Sequence, residues 1–396
     1  MNILKKAFKA YKKINIIRRK TILYLFALGK QTKRNVMFES FEGRSYSDNP
    51  RAISEKLHDL DPHIEIVWVL NQPDNYGIVP SYVRVVSRFS HQYKSDFVSC
   101  GCYITNEVLD PWVIKKPDQL FIQTWHGDKA FKKVLYDAWI DRKRPEPVLD
   151  EKYTDICVAG SEYGVKQFRS AFNYKGEILN IGTPRNDCLI NMDNERISNV
   201  KNKLNISDDI CCLLYAPTFR MESTREKNAQ SIQGIDILST LKLCEKQYGG
   251  HWICLLRGHP LSLGLKGYEN REEILDVTQY PDMADLLLIA DCLITDYSSC
   301  AGDFALKYKP IFLFQDDLDY YTNNERGFYF DINKSPYITA RSQEELEKEI
   351  SNSSYEKAAQ NCASILEFYK NTETGDSAKE IADRVISWLN RRQYNE

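Results

Sequence analysis

From residue 35 onward, short runs rich in Val, Ile, Leu, Phe and Cys alternate with longer stretches of helical periodicity, and this rhythm constrains the fold more than any other feature. The runs fall at 36–39, 64–70, 83–87, 102–106, 119–124, 156–159 and 177–181. Nearly continuous apolar runs separated by helical segments mark parallel strands, because such strands are covered on both faces by their crossover helices. A polar helical stretch, 194–205, followed by Ser207, Asp208 and Asp209 interrupts the rhythm, which resumes at 211–216, 252–256, 273–277, 292–295 and 310–314. The chain is therefore expected to be α/β, with two doubly wound domains at 35–206 and 207–396. Its 396 residues exceed one ordinary core. The second domain should include the terminal helices, in which Ile350, Ala358, Ile365, Phe368, Ile381, Val385 and Trp388 recur among charges.

Residues 1–34 form a third region. The net charge of -2 conceals a segment with eleven Lys or Arg and no Asp or Glu. Ile3, Leu4, Ala7, Phe8, Tyr11 and Ile14 share one helical face, while Lys5, Lys6, Lys9, Lys12 and Lys13 lie elsewhere. This is a basic amphipathic helix suited to an anionic membrane surface, with packing on the protein's own body as the alternative. Nucleic acid is disfavoured, because few aromatics interleave with the basic residues and no RNA-binding signature follows. The apolar run 22–28 is far short of the roughly 20 residues that span a bilayer. The eleven cysteines are scattered without zinc-type or C-x-x-C spacing, which suggests a reducing compartment. Together these features predict a peripheral protein on the cytoplasmic face of the cell membrane.

In open α/β sheets, ligands bind beyond the carboxyl ends of strands, so residues just after the apolar runs carry the functional information. Gln123-Thr124-Trp125-His126-Gly127 ends one run and precedes a helical pattern expected to begin near Asp128; His126 there suits proton transfer, or simply a turn. Arg257-Gly258-His259-Pro260 ends another, with two cationic side chains flanking a glycine as a diphosphate would require. Thr295-Asp296-Tyr297-Ser298-Ser299 places two serines at a helix start, either as plain caps or as phosphate ligands. Thr218 and Arg220, in Tyr215-Ala216-Pro217-Thr218-Phe219-Arg220, could reach the same anion. There is no G-x-G-x-x-G, no G-x-x-x-x-G-K-[ST], no H-E-x-x-H and no metal-ligand spacing, so neither a dehydrogenase nor a P-loop kinase is supported.

In order along the chain, these segments resemble the CDP-glycerol glycerophosphotransferase family of teichoic acid and capsule synthesis. The resemblance also rests on the stretch from Glu39-Ser40-Phe41-Glu42-Gly43-Arg44-Ser45 to Asn49-Pro50, on Gly182-Thr183-Pro184-Arg185-Asn186-Asp187, on Asp303-Phe304 and on Arg326-Gly327-Phe328. It implies a GT-B arrangement, two Rossmann-like domains facing a cleft, with the donor held mainly by the second. His126 would correspond to the catalytic base and His259 to a diphosphate-binding catalytic histidine. Thr218, Arg220, Arg257, Asp296, Ser298 and Ser299 would bind the donor, and Gly43, Ser45, Gly127, Asp128, Arg185 and Asp303 would line the cleft. Asp128 stands where many relatives have threonine and proline. The implied partners are a CDP-alditol donor, CDP-glycerol or CDP-ribitol, and a lipid-linked saccharide or polyol-phosphate acceptor. No cofactor is implied, and Mg2+ assistance is left open. A sugar-nucleotide glycosyltransferase on the same fold is the rival enzyme class.

Overall fold

The computed structural model describes residues 2–72, 79–139, 148–218, 235–258, 271–324 and 327–391. Its first sheet contains β1 (Asn35–Glu39), β2 (Glu65–Leu70), β3 (Val83–Ser87), β4 (Cys102–Thr105), β5 (Leu120–Gln123), β6 (Ile156–Ala159) and β7 (Glu177–Asn180), in the order β3-β2-β1-β4-β5-β6-β7. The second contains β8 (Ile210–Ala216), β9 (His251–Leu256), β10 (Ile274–Asp276), β11 (Cys292–Thr295), β12 (Ile311–Phe314) and β13 (Thr339–Ala340), in the order β10-β9-β8-β11-β12-β13. All pairings are parallel. The two Rossmann-like sheets match the expected strands and add only β13, a run too short to stand out from its loop. In each sheet the winding reverses once, between β1 and β4 and between β8 and β11, and these reversals are where ligand crevices form.

Side-chain alternation along each strand generates two cores per sheet. Val36, Phe38, Ile66, Trp68 and Ile104 pack on one face of the first sheet. Met37, Val67, Val69, Tyr103 and Phe121 pack on the other. In the second sheet Leu213, Tyr215, Cys254 and Ile294 oppose Cys212, Leu214, Leu255 and Leu293 in the same way.

Two terminal helices cover the first sheet. The long helix Asn2–Ala27 docks through its second half, where Leu23 is buried in the core of Met37 and Phe121 and the Arg19 guanidinium stacks 4.3 Å from the Phe89 ring. Ala7, Phe8 and Ala10 to Ile14, earlier in the helix, are exposed. The C-terminal helix Ser377–Asn390 corrects the expected 207–396 domain, because Ile381, Ala382, Val385 and Leu389 are buried with Val36, Ile53 and Leu57 of the first domain. Its apolar stripe signals burial but not against which sheet. Gly101 makes the close approach possible: a Cβ there would lie 2.4 Å from Leu389 Cδ2 and 2.6 Å from the Lys33 carbonyl oxygen.

Because one of those neighbours is backbone, the clash cannot be relieved by a rotamer change alone. Gly101→Ala is expected to cost about 1–3 kcal/mol, as overpacking in cores usually does. The loss is measurable by chemical unfolding, and a variant as stable as the parent would show that the helix can shift without penalty.

Candidate active site

At the reversal of the first sheet, the segment after β1 is unusually contorted. Phe41, Glu42 and Asp48 adopt left-handed φ values of 48°, 56° and 65°, and Gly43 lies at 79°. A Cβ on Gly43 would sit 3.4 Å from both the Asn71 nitrogen and the Val69 oxygen, close to ordinary contact, so it is the positive φ that favours glycine in this turn. Ser45 is turned inward, its hydroxyl 2.6 Å from that of Ser47. The loop is tied to the end of β4 by Asn106, whose Oδ1 accepts from the Phe41 N–H at 2.8 Å while its Nδ2 donates to Asp48 at 3.1 Å.

His126 stands beyond β5 in the same crevice, half-buried between the rings of Trp125 (4.1 Å between centroids) and Phe41 (5.3 Å). Its Nδ1 lies 2.7 Å from the Asn106 main-chain oxygen. A carbonyl only accepts, so Nδ1 carries a proton, and in the neutral ring Nε2 presents a lone pair. Trp125 holds a left-handed φ of 49°, fixed by its N–H donating to Gln123 at 2.8 Å and its carbonyl accepting from Asn49 at 2.9 Å. Glu107 lies beside the ring; burial raises its carboxyl above the ordinary value, and His126 and Arg44 oppose the rise.

The second sheet meets this crevice edge to edge. A Cβ on Gly127 would be 3.8 Å from the Ser299 hydroxyl, so the His126 turn directly faces the segment after β11. Ser298 and Ser299 precede the short helix Cys300–Phe304, and the Ser299 hydroxyl is not used as a cap. Asp296 is buried and accepts from the Thr218 N–H at 2.9 Å and from its hydroxyl, joining the ends of β8 and β11. Beyond β9, Arg257 Nη1 is buried without a hydrogen-bond partner among the described residues. Burial lowers the Arg257 pKa, partly offset by Asp282. Arg220 and His259 lie outside the described residues, as does Arg326.

Three of the expected cleft residues belong to a buried ionic network instead of an open wall. Arg185 joins Asp303 of the second domain (2.8 Å) to Asp48 of the first (3.4 Å), and Asn186 donates to both Asp303 (3.0 Å) and Glu373 (2.9 Å). Lys129, fully buried, sits 2.9 Å from Glu373 and 3.5 Å from Asp128. Burial alone would raise the Asp303 carboxyl, but Arg185 and Lys129 hold it below the ordinary aspartate range. Asp128 also accepts from Ser161 at 2.7 Å and from the Gly160 N–H at 3.0 Å. These bonds, together with an antiparallel bridge between Lys132 and Phe328, hold the chain after His126 in a turn at Asp128 and Lys129 followed by irregular backbone. The helix expected near Asp128 is therefore absent, and regular structure resumes only at Leu135–Trp139. A second network, Arg51 with Asp282 (3.1 Å) and Asp285 (3.1 Å) and Arg196 with Asp285 (2.6 Å), closes the other side.

Asn106, Lys129 and Glu373 escaped the sequence reading, and Asn49 was quoted there only as part of a family motif, without a role. Asn106 is the last residue of the run 102–106 and was open to the strand-end rule, whereas nothing around Glu373 announces its role. Among the described residues, no group of three or more His, Cys, Asp or Glu is arranged to hold a metal ion. Glu373→Gln would leave Lys129 short of its nearest counter-charge, and breaking a buried pair on one side costs about 3–5 kcal/mol. That loss is expected in equilibrium unfolding, and a shift below about 1 kcal/mol would mean that Asp128 and Asp303 suffice.

Residues 22–387 match the family model for CDP-glycerol:poly(glycerophosphate) glycerophosphotransferase. A teichoic acid poly(glycerol phosphate) polymerase from Staphylococcus epidermidis is 33% identical over 80% of this chain, which spans only 46% of that relative. The polymerase of that description from Bacillus spizizenii is 30% identical over 92% of this chain and 95% of its own. The solved structure of the wall teichoic acid polymerase TagF superposes with a TM-score of 0.82 at 29% identity, covering 99% of this chain and 98% of that one. A TagF variant soaked with CDPG does so at 0.79 and 29% identity, covering 99% of both chains. The chain belongs to the CDP-glycerol:poly(glycerophosphate) glycerophosphotransferase family.

Proposed function

We propose that this protein transfers glycerol phosphate from CDP-glycerol to a hydroxyl of a lipid-linked teichoic acid or capsular polysaccharide precursor, releasing CMP. The observation that carries this reading is the opposition of a histidine whose Nδ1 is engaged, leaving Nε2 for the substrate proton, to Ser299 across the crevice, with Arg257 Nη1, buried and without a hydrogen-bond partner among the described residues, at a neighbouring strand end. The acceptor hydroxyl gives its proton to His126 Nε2, and its oxygen bonds to the glycerol-bearing phosphorus. The bond from that phosphorus to the oxygen of the CMP phosphate breaks. Catalysis of this kind is chiefly positioning and neutralisation of phosphate charge. Arg257, Ser298, Ser299 and Thr218 serve the donor phosphates, with Asp296 acting by holding Thr218. The resemblance adds Arg220 and His259 to the same group.

The basic helix supports a peripheral position on an anionic membrane. Phe8, Tyr11 and Ile14 are 61%, 65% and 65% exposed, so the face that would enter a lipid interface is uncovered by protein. The side chains of Ile3, Leu4, Lys5, Lys6 and Lys9 lie outside the described residues. Among the described residues no helix is long and apolar enough to cross a membrane.

Four outcomes are expected. His126→Ala should bind CDP-glycerol normally by calorimetry while turnover falls by about 10²–10⁴, the usual contribution of a positioned base; a folded variant with normal turnover overturns the base assignment. Arg257→Gln should weaken CDP-glycerol binding by at least about tenfold, since hydrogen bonds to charged groups are worth about 1.5–3 kcal/mol. CMP release measured in parallel with CDP-glycerol and CDP-ribitol should favour the first. Replacing Phe8, Tyr11 and Ile14 with serine should reduce co-sedimentation with phosphatidylserine vesicles, and undiminished binding would leave the helix without that role.

A further inference from the structure

A base that works through Nε2 must keep its other ring proton on Nδ1 and must aim the imidazole at one place in every turnover. Both requirements lead to Asn106. Its main-chain oxygen receives the Nδ1 proton, and its side chain, fully buried, is engaged at both ends. The Phe41 N–H can only donate and the Asp48 carboxylate can only accept, so the amide has one orientation, with Oδ1 toward Phe41 and Nδ2 toward Asp48. The two residues that it grips are ones that do not favour their own backbone conformation. Phe41 and Asp48 are both left-handed, at a cost of about 1–2 kcal/mol each, and persist only where the surroundings hold them. Phe41 in turn supplies one of the rings flanking His126.

We propose that Asn106 is the positioning residue for His126: its carbonyl fixes the tautomer and aim of the imidazole, and its clamped amide fixes the carbonyl. This rests on His126 being the base. Neither aspartate nor leucine would serve, the first because it meets the Asp48 carboxylate with a like charge, the second because it leaves the Phe41 N–H without its acceptor. Asp48 also accepts from Arg185, so the clamp is continuous with the Arg185–Asp303 pair that reaches the second domain.

The test combines histidine nitrogen NMR with kinetics, using CDP-glycerol and a lipid-linked glycerol-phosphate primer. In the parent protein the His126 resonances, identified by their loss in His126→Ala, should report the proton on Nδ1. In Asn106→Ala the two tautomers should mix and kcat should fall by about 10- to 100-fold, the scale of a small misplacement, while KM for CDP-glycerol stays within about twofold. Asn106→Asp should be similarly impaired, and Asp48→Asn/Asn106→Asp, which exchanges donor and acceptor, should recover much of the loss. A parent His126 protonated on Nε2, an Asn106→Ala enzyme with normal kcat, or a swap without recovery would each overturn the proposal. If Asn106→Ala fails to fold, the parent tautomer and the swap decide the matter. Normal turnover in His126→Ala would instead sink the base assignment and leave the tautomer result standing.

Discussion

The salt bridge on which the rest of this structure depends is that between Arg185 and Asp303, because it is buried, joins the two domains and shares its carboxylate with a wider network. Buried charges cost several kcal/mol each unless partners surround them. Arg185 and Lys129 face Asp48, Asp128, Asp303 and Glu373, and the excess of carboxylates is met by N–H and hydroxyl donors from Gly160, Ser161, Thr183 and Asn186. Separating the sheets would strip partners from several of these groups at once. Apolar contact between domains can slide, but a forked guanidinium held between two carboxylates has few alternative positions. The spacing between His126 and Ser299 is thus set by charge geometry as well as by packing.

A second consequence concerns strain. The left-handed residues Phe41, Glu42, Asp48 and Trp125 all lie in the two loops that form the crevice of the first sheet. Each conformation is held by a specific bond: Phe41 and Asp48 by Asn106, Glu42 by Asn71, and Trp125 by Gln123 and Asn49. Asn49 links the two systems, since its Oδ1 also accepts from the Arg185 N–H at 3.0 Å. Strain concentrated at a site and over-determined by its neighbours is how a fold aims side chains that regular structure would point elsewhere.

Much of this architecture was legible in the sequence. Parallel strands covered on both sides leave apolar runs that need no partner to be recognised, and strand ends point to ligand crevices whatever the ligand. The Trp125-His126-Gly127 turn, the Thr218 and Asp296 segments and the serines before Cys300 were found in that way. What stayed hidden depends on contacts distant in the chain. The stripe Ile381, Ala382, Val385 and Leu389 says that a helix is buried, but its docking on the first sheet is settled by the groove that Gly101 leaves open. Asp128 followed a helical pattern that lost to Ser161, Gly160 and the Lys132–Phe328 bridge. Glu373 had no local signal, because its partners Lys129, Thr183 and Asn186 are nearly two hundred residues or more away.

The topology also divides the labour of the proposed reaction. The amphipathic helix buries Leu23 in the core that contains Met37, Tyr103 and Phe121, so it is built onto the sheet that carries His126 and Asn106. Arg257, Thr218, Ser298 and Ser299 belong to the other sheet. A membrane-bound acceptor would then meet the half of the protein that holds the base, and a soluble nucleotide would meet the half that offers phosphate ligands. The Arg185 network lies between them and ties the two halves into one crevice, which is why the His126 turn and the Ser299 turn can face each other although each is built on a different sheet.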